Sequence, residues 1–254
     1  MKYFVVIGGS KGIGRELIKK LIKDQKNMVL LVSRQNIDID SSNIIHFKTN
    51  LLNEEDIQNT LVSIKKISPK IDSLFFSQKY RLIDKSAYKL TEDLMVNVAA
   101  TKIFIEYFKD KFYKNGLKSI VIIGSIASKF VATEQPVDYH ISKSALVGLV
   151  NYYAVALGEN KIRVNMISPS TVIKDENKLF YKTNKELYNL YRSISPSKSV
   201  LKSSNVVDLA KYLLFKKSKF ITGQNIIIDG GISLQWQESI GRKLVNLDNL
   251  KLIQ

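Results

Sequence analysis

Short apolar runs rich in β-branched and aromatic residues alternate along the chain with longer segments whose apolar positions recur at helical spacing. Residues 3–7, 28–32, 44–47, 74–76, 119–123, 162–167 and 225–228 predict strands. Between them, residues 13–23, 54–66, 94–114, 139–159 and 206–215 predict helices. Near-continuous apolar strands separated by helices are what a parallel sheet covered on both faces requires, so the pattern predicts a doubly wound α/β sheet. No internal repeat, low-complexity tract or Pro/Gly-rich linker divides the chain, and residues 1–254 are read as a single domain. Residues 169–205 have no strand signal and mix aromatics with Lys and Ser; an insertion of that size in a compact domain is usually functional, and here it is expected to cover a substrate. Residues 235–254 form an extension expected to wrap a neighbouring subunit or to cover the site.

Composition changes this picture little. With 254 residues, 45% of them hydrophobic, and a mean hydropathy of -0.05, the chain can bury a large core. No stretch approaches the roughly 20 apolar residues of a membrane helix. The apolar start runs into Gly8-Gly9 too soon for a signal peptide. The absence of cysteine excludes disulfides, thiolate catalysis and thiolate metal sites, and a cytoplasmic setting is expected. The formal net charge of +16 could mark an anionic partner, but the lysines are scattered over every segment, which favours compositional drift. No arginine-rich run, zinc-finger spacing or aromatic-interleaved basic strand points to nucleic acid.

Chemistry enters at two places. The first strand ends in Gly8-Gly9-Ser10-Lys11-Gly12-Ile13-Gly14, and a helix follows at once. Glycines there let the backbone turn tightly and approach a pyrophosphate, which the free N–H groups and positive dipole end of the helix favour. Further on, Tyr139 and Lys143 lie four apart on a helix and so share one face, with Ser125 on the approach. A neighbouring ammonium stabilises a phenolate and draws a phenol of pKa near ~10 towards the range useful for general acid–base catalysis.

The Gly-x-x-x-Gly-x-Gly spacing together with Tyr-x-x-x-Lys resembles the classical short-chain dehydrogenase/reductase family, and the likeness runs over residues 2–234. Asn97, in Met95-Val96-Asn97-Val98, looks like that family's active-site asparagine, and Ser125, in Ile122-Ile123-Gly124-Ser125, like its catalytic serine. Residues 162–169, 221–224 and 229–231 match later signatures. The resemblance implies a Rossmann-type fold, and hydride transfer between a nicotinamide and a substrate carbonyl or alcohol carbon, with no metal. Tyr139 would exchange the proton, Lys143 would hold the nicotinamide ribose, Ser125 would hydrogen-bond the carbonyl oxygen, and Asn97 would support a water relay to Lys143. It further implies cofactor contacts from Gly8, Ser10, Lys11, Gly12, Ile13, Gly14, Ser33, Arg34, Asn50, Leu51, Tyr139, Lys143, Pro169 and Val172. An acid at the end of the second strand would repel a 2′-phosphate; the strand instead ends Val32-Ser33-Arg34, with Lys11 nearby, so NADP(H) is the expected cofactor.

Departures from the family pattern bear on the substrate. Ile7 replaces a threonine before the glycine turn, and Asn50 an aspartate after the third strand. Phe76-Ser77-Gln78-Lys79 stands for Asn-Asn-Ala-Gly and puts a long cation beside the expected nicotinamide ribose. Ser170 replaces a glycine, Lys174 a threonine, and Ser125 lies one residue further from Tyr139 than usual, so that Ser128 competes as hydroxyl donor. His140 points to a different helix face from Tyr139 and reads as a packing or surface residue, while His46 has no evident partner for a metal.

The expectation is an NADP(H)-dependent ketoreductase of a specialised biosynthetic pathway, assembled as a homodimer or homotetramer through its long helices. Its substrate would enter under residues 169–205. Lys79, Lys174, Lys182 and Arg192 suggest an anionic one, such as a carrier-linked 3-oxoacyl group or a phosphorylated or nucleotide-linked sugar. The alternative is a catalytically silent dinucleotide-binding regulatory or scaffolding protein with a basic interaction surface.

Overall fold

The computed structural model, which describes residues 1–80, 89–245 and 247, contains the strands β1 (Lys2–Ile7), β2 (Asn27–Ser33), β3 (Ile44–Lys48), β4 (Ser73–Phe76), β5 (Ser119–Ile123), β6 (Arg163–Pro169), β7 (Val172–Ile173), β8 (Leu201–Lys202) and β9 (Asn225–Ile228). All but β7 and β8 form one seven-stranded sheet in the order β3-β2-β1-β4-β5-β6-β9, with every pairing parallel. The helices are α1 (Gly12–Leu21), α2 (Glu54–Ile67), α3 (Leu90–Leu94), α4 (Ala100–Phe108), α5 (Val137–Ala156), α6 (Lys178–Thr183), α7 (Lys185–Ile194), α8 (Ser203–Leu214) and α9 (Gln237–Leu244). This is the Rossmann-type doubly wound sheet that the alternating pattern predicts.

The two-residue period of each strand divides the core. In β1, Val5 and Ile7 face the layer holding Ile57, Leu61 and Ile64 of α2, Phe104 of α4 and Leu146 of α5. Phe4 and Val6 face the opposite layer, with Leu17, Ile18 and Leu21 of α1 and Val206, Val207 and Ala210 of α8. Because both faces are covered, β4 is buried along its whole length, which is why Ser73-Leu74-Phe75-Phe76 shows no polar alternation beyond its first residue. Phe76 meets Phe104 edge to face, with centroids 6.4 Å apart.

Local chemistry sets the helix ends. The Asn53 side chain accepts from the N–H groups of Glu55 (2.9 Å) and Asp56 (3.3 Å) at the start of α2. Acids fill the first turn of that helix and Lys65 and Lys66 the last, matching its dipole.

Two expectations change. The helix expected over residues 94–114 is broken: α3 passes into a π-helical turn at Met95–Ala99, then α4, which stops at Phe108. The wide turn contains Asn97, whose carbonyl accepts from Thr101 Oγ1 at 2.7 Å; side-chain competition of this kind is invisible to hydrophobic periodicity. The excursion at residues 169–205 holds strands after all. Its ends are clipped together by the parallel pair β7 and β8, in the register Val172↔Leu201 and Ile173↔Lys202, with α6 and α7 between them. Two residues are too few to produce a strand pattern. The expected C-terminal extension contains α9, and residues 246 and 248–254 lie outside the described residues.

Candidate active site

All strands of the main sheet end at one edge, and the strand order reverses between β1 and β4, which opens a crevice where their following loops diverge. Gly8 stands there with φ +84°, and a Cβ on it would run into the backbone of Ser77 and Gln78. Gly14 is equally confined, by Ser77 Oγ and the Gly8 carbonyl. The Ser77 hydroxyl donates to that carbonyl at 2.7 Å, tying the glycine turn to the end of β4. Gly8, Ser10, Lys11, Ser33, Arg34, Asn50 and Leu51 all line one cavity of about 500 Å³, which continues to Gln78 and Lys79. Gly12, Ile13 and Gly14 open α1 beside it. Amides at a helix start, glycines that let a ligand approach the backbone, and the exposed cations Lys11 and Arg34 form a donor set that fits a phosphate-bearing dinucleotide.

Other expected contacts are differently disposed. The Ser33 hydroxyl donates to the Gln35 carbonyl at 2.7 Å and lies 2.9 Å from His46 Nε2, so both His46 and Ser33 are engaged within the fold. Asn50 Oδ1 accepts from Leu52 N–H at 3.2 Å. Pro169 is buried at the end of β6. Val172 packs its side chain into the core, and its carbonyl accepts from Asn177 Nδ2 at 3.0 Å.

The second group of residues gathers at the ends of β4 and β5 and on the first turns of α5. Lys143 is only 3% exposed, and its ammonium donates to the Ile123 carbonyl at 3.3 Å. Burial, then the nearby Lys79 and Lys174 charges, lower its pKa to about 8, opposed by the Asp93 carboxylate. Tyr139, one turn before it, is half-buried, with Lys143 Nζ 5.7 Å and Lys79 Nζ 4.2 Å from its ring centroid. Ser125 stands two residues past the end of β5, after Gly124; its hydroxyl oxygen accepts from Ala127 N–H at 3.1 Å, which leaves its hydrogen to be given. Ser128 instead donates to the Ser125 carbonyl at 2.8 Å and braces the turn. Asn97 is buried in the π turn, its amide nitrogen bonded to the Asp93 carboxylate and 3.4 Å from Ser142 Oγ, with Oδ1 buried and without a partner among the described residues. His140 bridges the Ala132 amide and the Pro136 carbonyl, both at 3.0 Å, and holds the preceding loop.

Sequence reasoning missed Asp93, a carboxylate that acts on Lys143; an acid inside an apolar helical stretch was the available signal. It missed Gln78 as a brace, whose amide nitrogen donates to Thr101 Oγ1 at 2.8 Å and to the Val96 carbonyl at 3.3 Å. It also missed Glu176. That carboxylate accepts the Gly12 N–H at 2.8 Å, and Arg15 pairs with both Asp175 (3.2 Å) and Glu176 (3.4 Å). An anion from the 169–205 excursion thus sits on the helix start that suits a phosphate. Replacing it, as in Glu176→Ala, is expected to raise affinity for NADPH about tenfold, because a like charge leaves the phosphate position. Fluorescence titration measures this, and equal affinity in the two proteins would show that the two anions do not compete.

Known proteins resemble this chain in sequence and fold. A family model described as Enoyl-(Acyl carrier protein) reductase matches residues 9–233. Short-chain dehydrogenase reductase 3a of Arabidopsis thaliana is 27% identical over 247 residues, covering 92% of this chain and 95% of its own. Among solved structures, 4-hydroxyisoleucine dehydrogenase complexed with NADH superposes with a TM-score of 0.81 at 25% identity, over 93% of this chain and 100% of that one. ElxO with NADP bound has a TM-score of 0.78 at 22% identity, over 92% and 99%, and shares the fold. With its glycine turn, its parallel sheet and a family match over most of its length, the chain belongs to the short-chain dehydrogenase/reductase family of nicotinamide-dinucleotide oxidoreductases.

Proposed function

We propose that this protein is an NADP(H)-dependent ketoreductase that interconverts a carbonyl and an alcohol, with Tyr139 as general acid and base. The observation that carries the proposal is the buried Lys143 ammonium, one helical turn from Tyr139 and bonded to the Ile123 carbonyl at the end of β5, with the cavity at the glycine turn reaching as far as Lys79, whose ammonium lies over the Tyr139 ring. When bound, the nicotinamide supplies a hydride to the substrate carbon or takes one from it. Ser125 donates its hydroxyl hydrogen to the substrate oxygen and holds it against Tyr139. In the reducing direction Tyr139 gives that oxygen a proton, and the Lys143 charge lowers the cost of the phenolate left behind. Lys143 also holds the nicotinamide ribose, and Asn97, oriented by Asp93, supports the return of a proton through water. Gly12, Ile13 and Gly14 receive the pyrophosphate, and Gly8, Ser10, Asn50, Leu51, Pro169 and Val172 complete the cofactor's surroundings.

Support for NADP(H) comes from the end of β2, where Arg34 is exposed and lines the cavity together with Lys11, with no acid among the described residues that line it. The excursion at residues 169–205 covers the substrate. Lys79 and Lys174 favour an anionic substrate, such as a carrier-linked 3-oxoacyl group, in a specialised biosynthetic pathway. Exposed Ile141, Tyr152 and Val155 on α5 support assembly into a homodimer or homotetramer. Among the described residues no helix is long and apolar enough to cross a membrane, and the cysteine-free composition supports a cytoplasmic setting.

Tyr139→Phe is expected to lower turnover of a ketone panel about 1000-fold while NADPH binding persists, as read by NADPH oxidation and fluorescence titration. Undiminished turnover would remove Tyr139 from the chemistry. Arg34→Ala is expected to reduce the preference for NADPH over NADH about tenfold, checked by titrating each dinucleotide; an unaltered preference would count against a 2′-phosphate at Arg34.

The pH dependence follows from Lys143. Its folded-state pKa is depressed to about 8, so the ammonium is present below that pH and lost above it. Activity that needs the cation is therefore expected to fall as pH rises through about 8, rather than in the ordinary lysine range near ~10.4. The sign for stability is the opposite: between those limits the unfolded chain holds the extra proton, so the folded state gains stability as pH rises. A pH–rate profile checks the first statement, and one that stays level into the ordinary lysine range contradicts it.

A further inference from the structure

We infer that a cleft between the excursion and the end of β9 receives a neutral aliphatic chain on the substrate, so that the natural substrates are medium-chain 3-oxoacyl groups rather than phosphorylated or nucleotide-linked sugars. This rests on the ketoreductase reading and specifies its substrate. The cleft has a volume of about 330 Å³ and is lined by Ile126 after β5, Ser170 after β6, and Ile228, Asp229 and Ile232 at the end of β9. The cavity at the glycine turn takes its lining from the ends of β1, β2, β3 and β4. The two hollows thus share one edge of the sheet, and in strand order the division between them falls between β4 and β5. Ser125, proposed to hold the substrate oxygen, immediately precedes Ile126 and stands at that division. A substrate whose oxygen meets Ser125, with its reacting carbon towards the dinucleotide, has the second hollow for its chain.

The lining decides the kind of chain. Ile126, Ile194, Val200, Leu201, Ile228 and Ile232 supply aliphatic surface, and no cation lies among the described residues that line the cleft. Several of its polar side chains are turned on the fold itself. The Ser197 and Ser199 hydroxyls lie 3.1 Å apart, and Asn205 Oδ1 accepts from the Lys202 N–H at 3.1 Å. Burial works against ionisation of Asp229, but bonds from Ser233 and Gly231 hold its carboxyl below the usual carboxylate range. An anionic chain end would meet that like charge with no cation on the described walls to answer it. Any charge on the substrate is then confined to the far side of its carbonyl, where a carrier would be. The walls are also tied together. Gly230, with φ +67°, lets Ser195 and Ser197 pack where a side chain would stand, and Gln235 Nε2 donates to the Ile194 carbonyl at 2.7 Å. Taking a methylene as about the size of a water in the liquid, about 30 Å³, the cleft holds a chain of about ten carbons at most.

Binding of methyl 3-oxoalkanoates of increasing chain length to the full-length protein saturated with NADP⁺ or NAD⁺, measured by calorimetry, tests this without turnover. Affinity is expected to rise about fourfold with each added methylene, and to level off once the chain reaches about ten carbons. Chains of equal length that end in a carboxylate or an ammonium are expected to bind about tenfold more weakly than the methyl-ended chain. Ile194→Phe and Ile232→Phe, which fill the cleft, are expected to end the rise about two carbons earlier, and dinucleotide titration reports that each variant folds. Affinity independent of chain length overturns the inference, as does tighter binding of a charged chain end. So does a rise that both variants leave unaltered, since the chain would then lie elsewhere. If the length dependence holds and no member of the series oxidises NADPH or NADH, the chain site stands and the reductase reading fails. Reduction of every length at equal affinity keeps the reductase reading and removes the chain site.

Discussion

A buried ammonium must be answered by something, and the way Lys143 is answered organises the reacting end of the molecule. Its side chain is almost wholly out of water, and the groups around it are a carbonyl at the end of β5, a carboxylate from α3 and other cations. Each belongs to a different element, so the position of the charge depends on how β5, α3 and α5 pack. Leaving such a group charged without a partner would cost several kcal/mol, and burial accordingly pulls its pKa down towards neutrality. A cation that keeps its charge at neutral pH without a solvent shell is a better partner for a phenol than one held firmly in water. Part of its charge can be shared with Tyr139, since no solvent shell satisfies it first. Asp93 keeps that balance from tipping too far, and by accepting from Asn97 it also fixes which way that amide points, because a carboxylate can only accept.

At the other end the constraint is steric. The turn after β1 and the end of β4 approach so closely that neither Gly8 nor Gly14 could carry a side chain without displacing the backbone or Ser77. The family's usual asparagine, alanine and glycine after β4 are replaced here by Ser77, Gln78 and Lys79, and the replacements act together. Ser77 takes over the link to the Gly8 carbonyl, Gln78 reaches across to the π turn that carries Asn97, and the two leave Lys79 between fixed neighbours. These bonds tie the loop to the glycine turn and to the π turn, and Lys79 stands beside Tyr139.

How much of this was legible in the sequence depended on the range of the signal. Strands and their order of burial follow from short-range periodicity, and β1, β4 and β5 were visible because apolar runs bounded by turns have few other uses. The glycine turn and the Tyr139 and Lys143 pair were legible because their chemistry is carried by spacing along one element. The break at Asn97 was not, since a π turn is decided by one extra residue and by side-chain bonds to Thr101 and Asp93, neither of which alters the apolar pattern. The β7 and β8 clip, the Glu176 contact with Gly12 and the nearness of Lys79 to Tyr139 are encounters between segments far apart in the chain. Residue type could only mark them as candidates. Lys174 stands out as a replaced threonine, while residue type alone does not mark the two acids that follow it.

Those acids couple the two ends of the site. The excursion between β6 and α8 places Lys174, Asp175 and Glu176 against the glycine turn, so it brings both signs of charge to the start of α1. Arg15 holds the carboxylates from below, at distances typical of partly exposed pairs, whose contribution to stability is small. The Gly12 amide, by contrast, points at one acceptor at a time. A phosphate arriving at that amide would compete with Glu176 for the same hydrogen. The position of the excursion and the occupancy of the helix start are then a single electrostatic equilibrium. The segment proposed to cover the substrate is tied to the glycine turn through Glu176 and Arg15, so its position and the state of the helix start depend on the same charges.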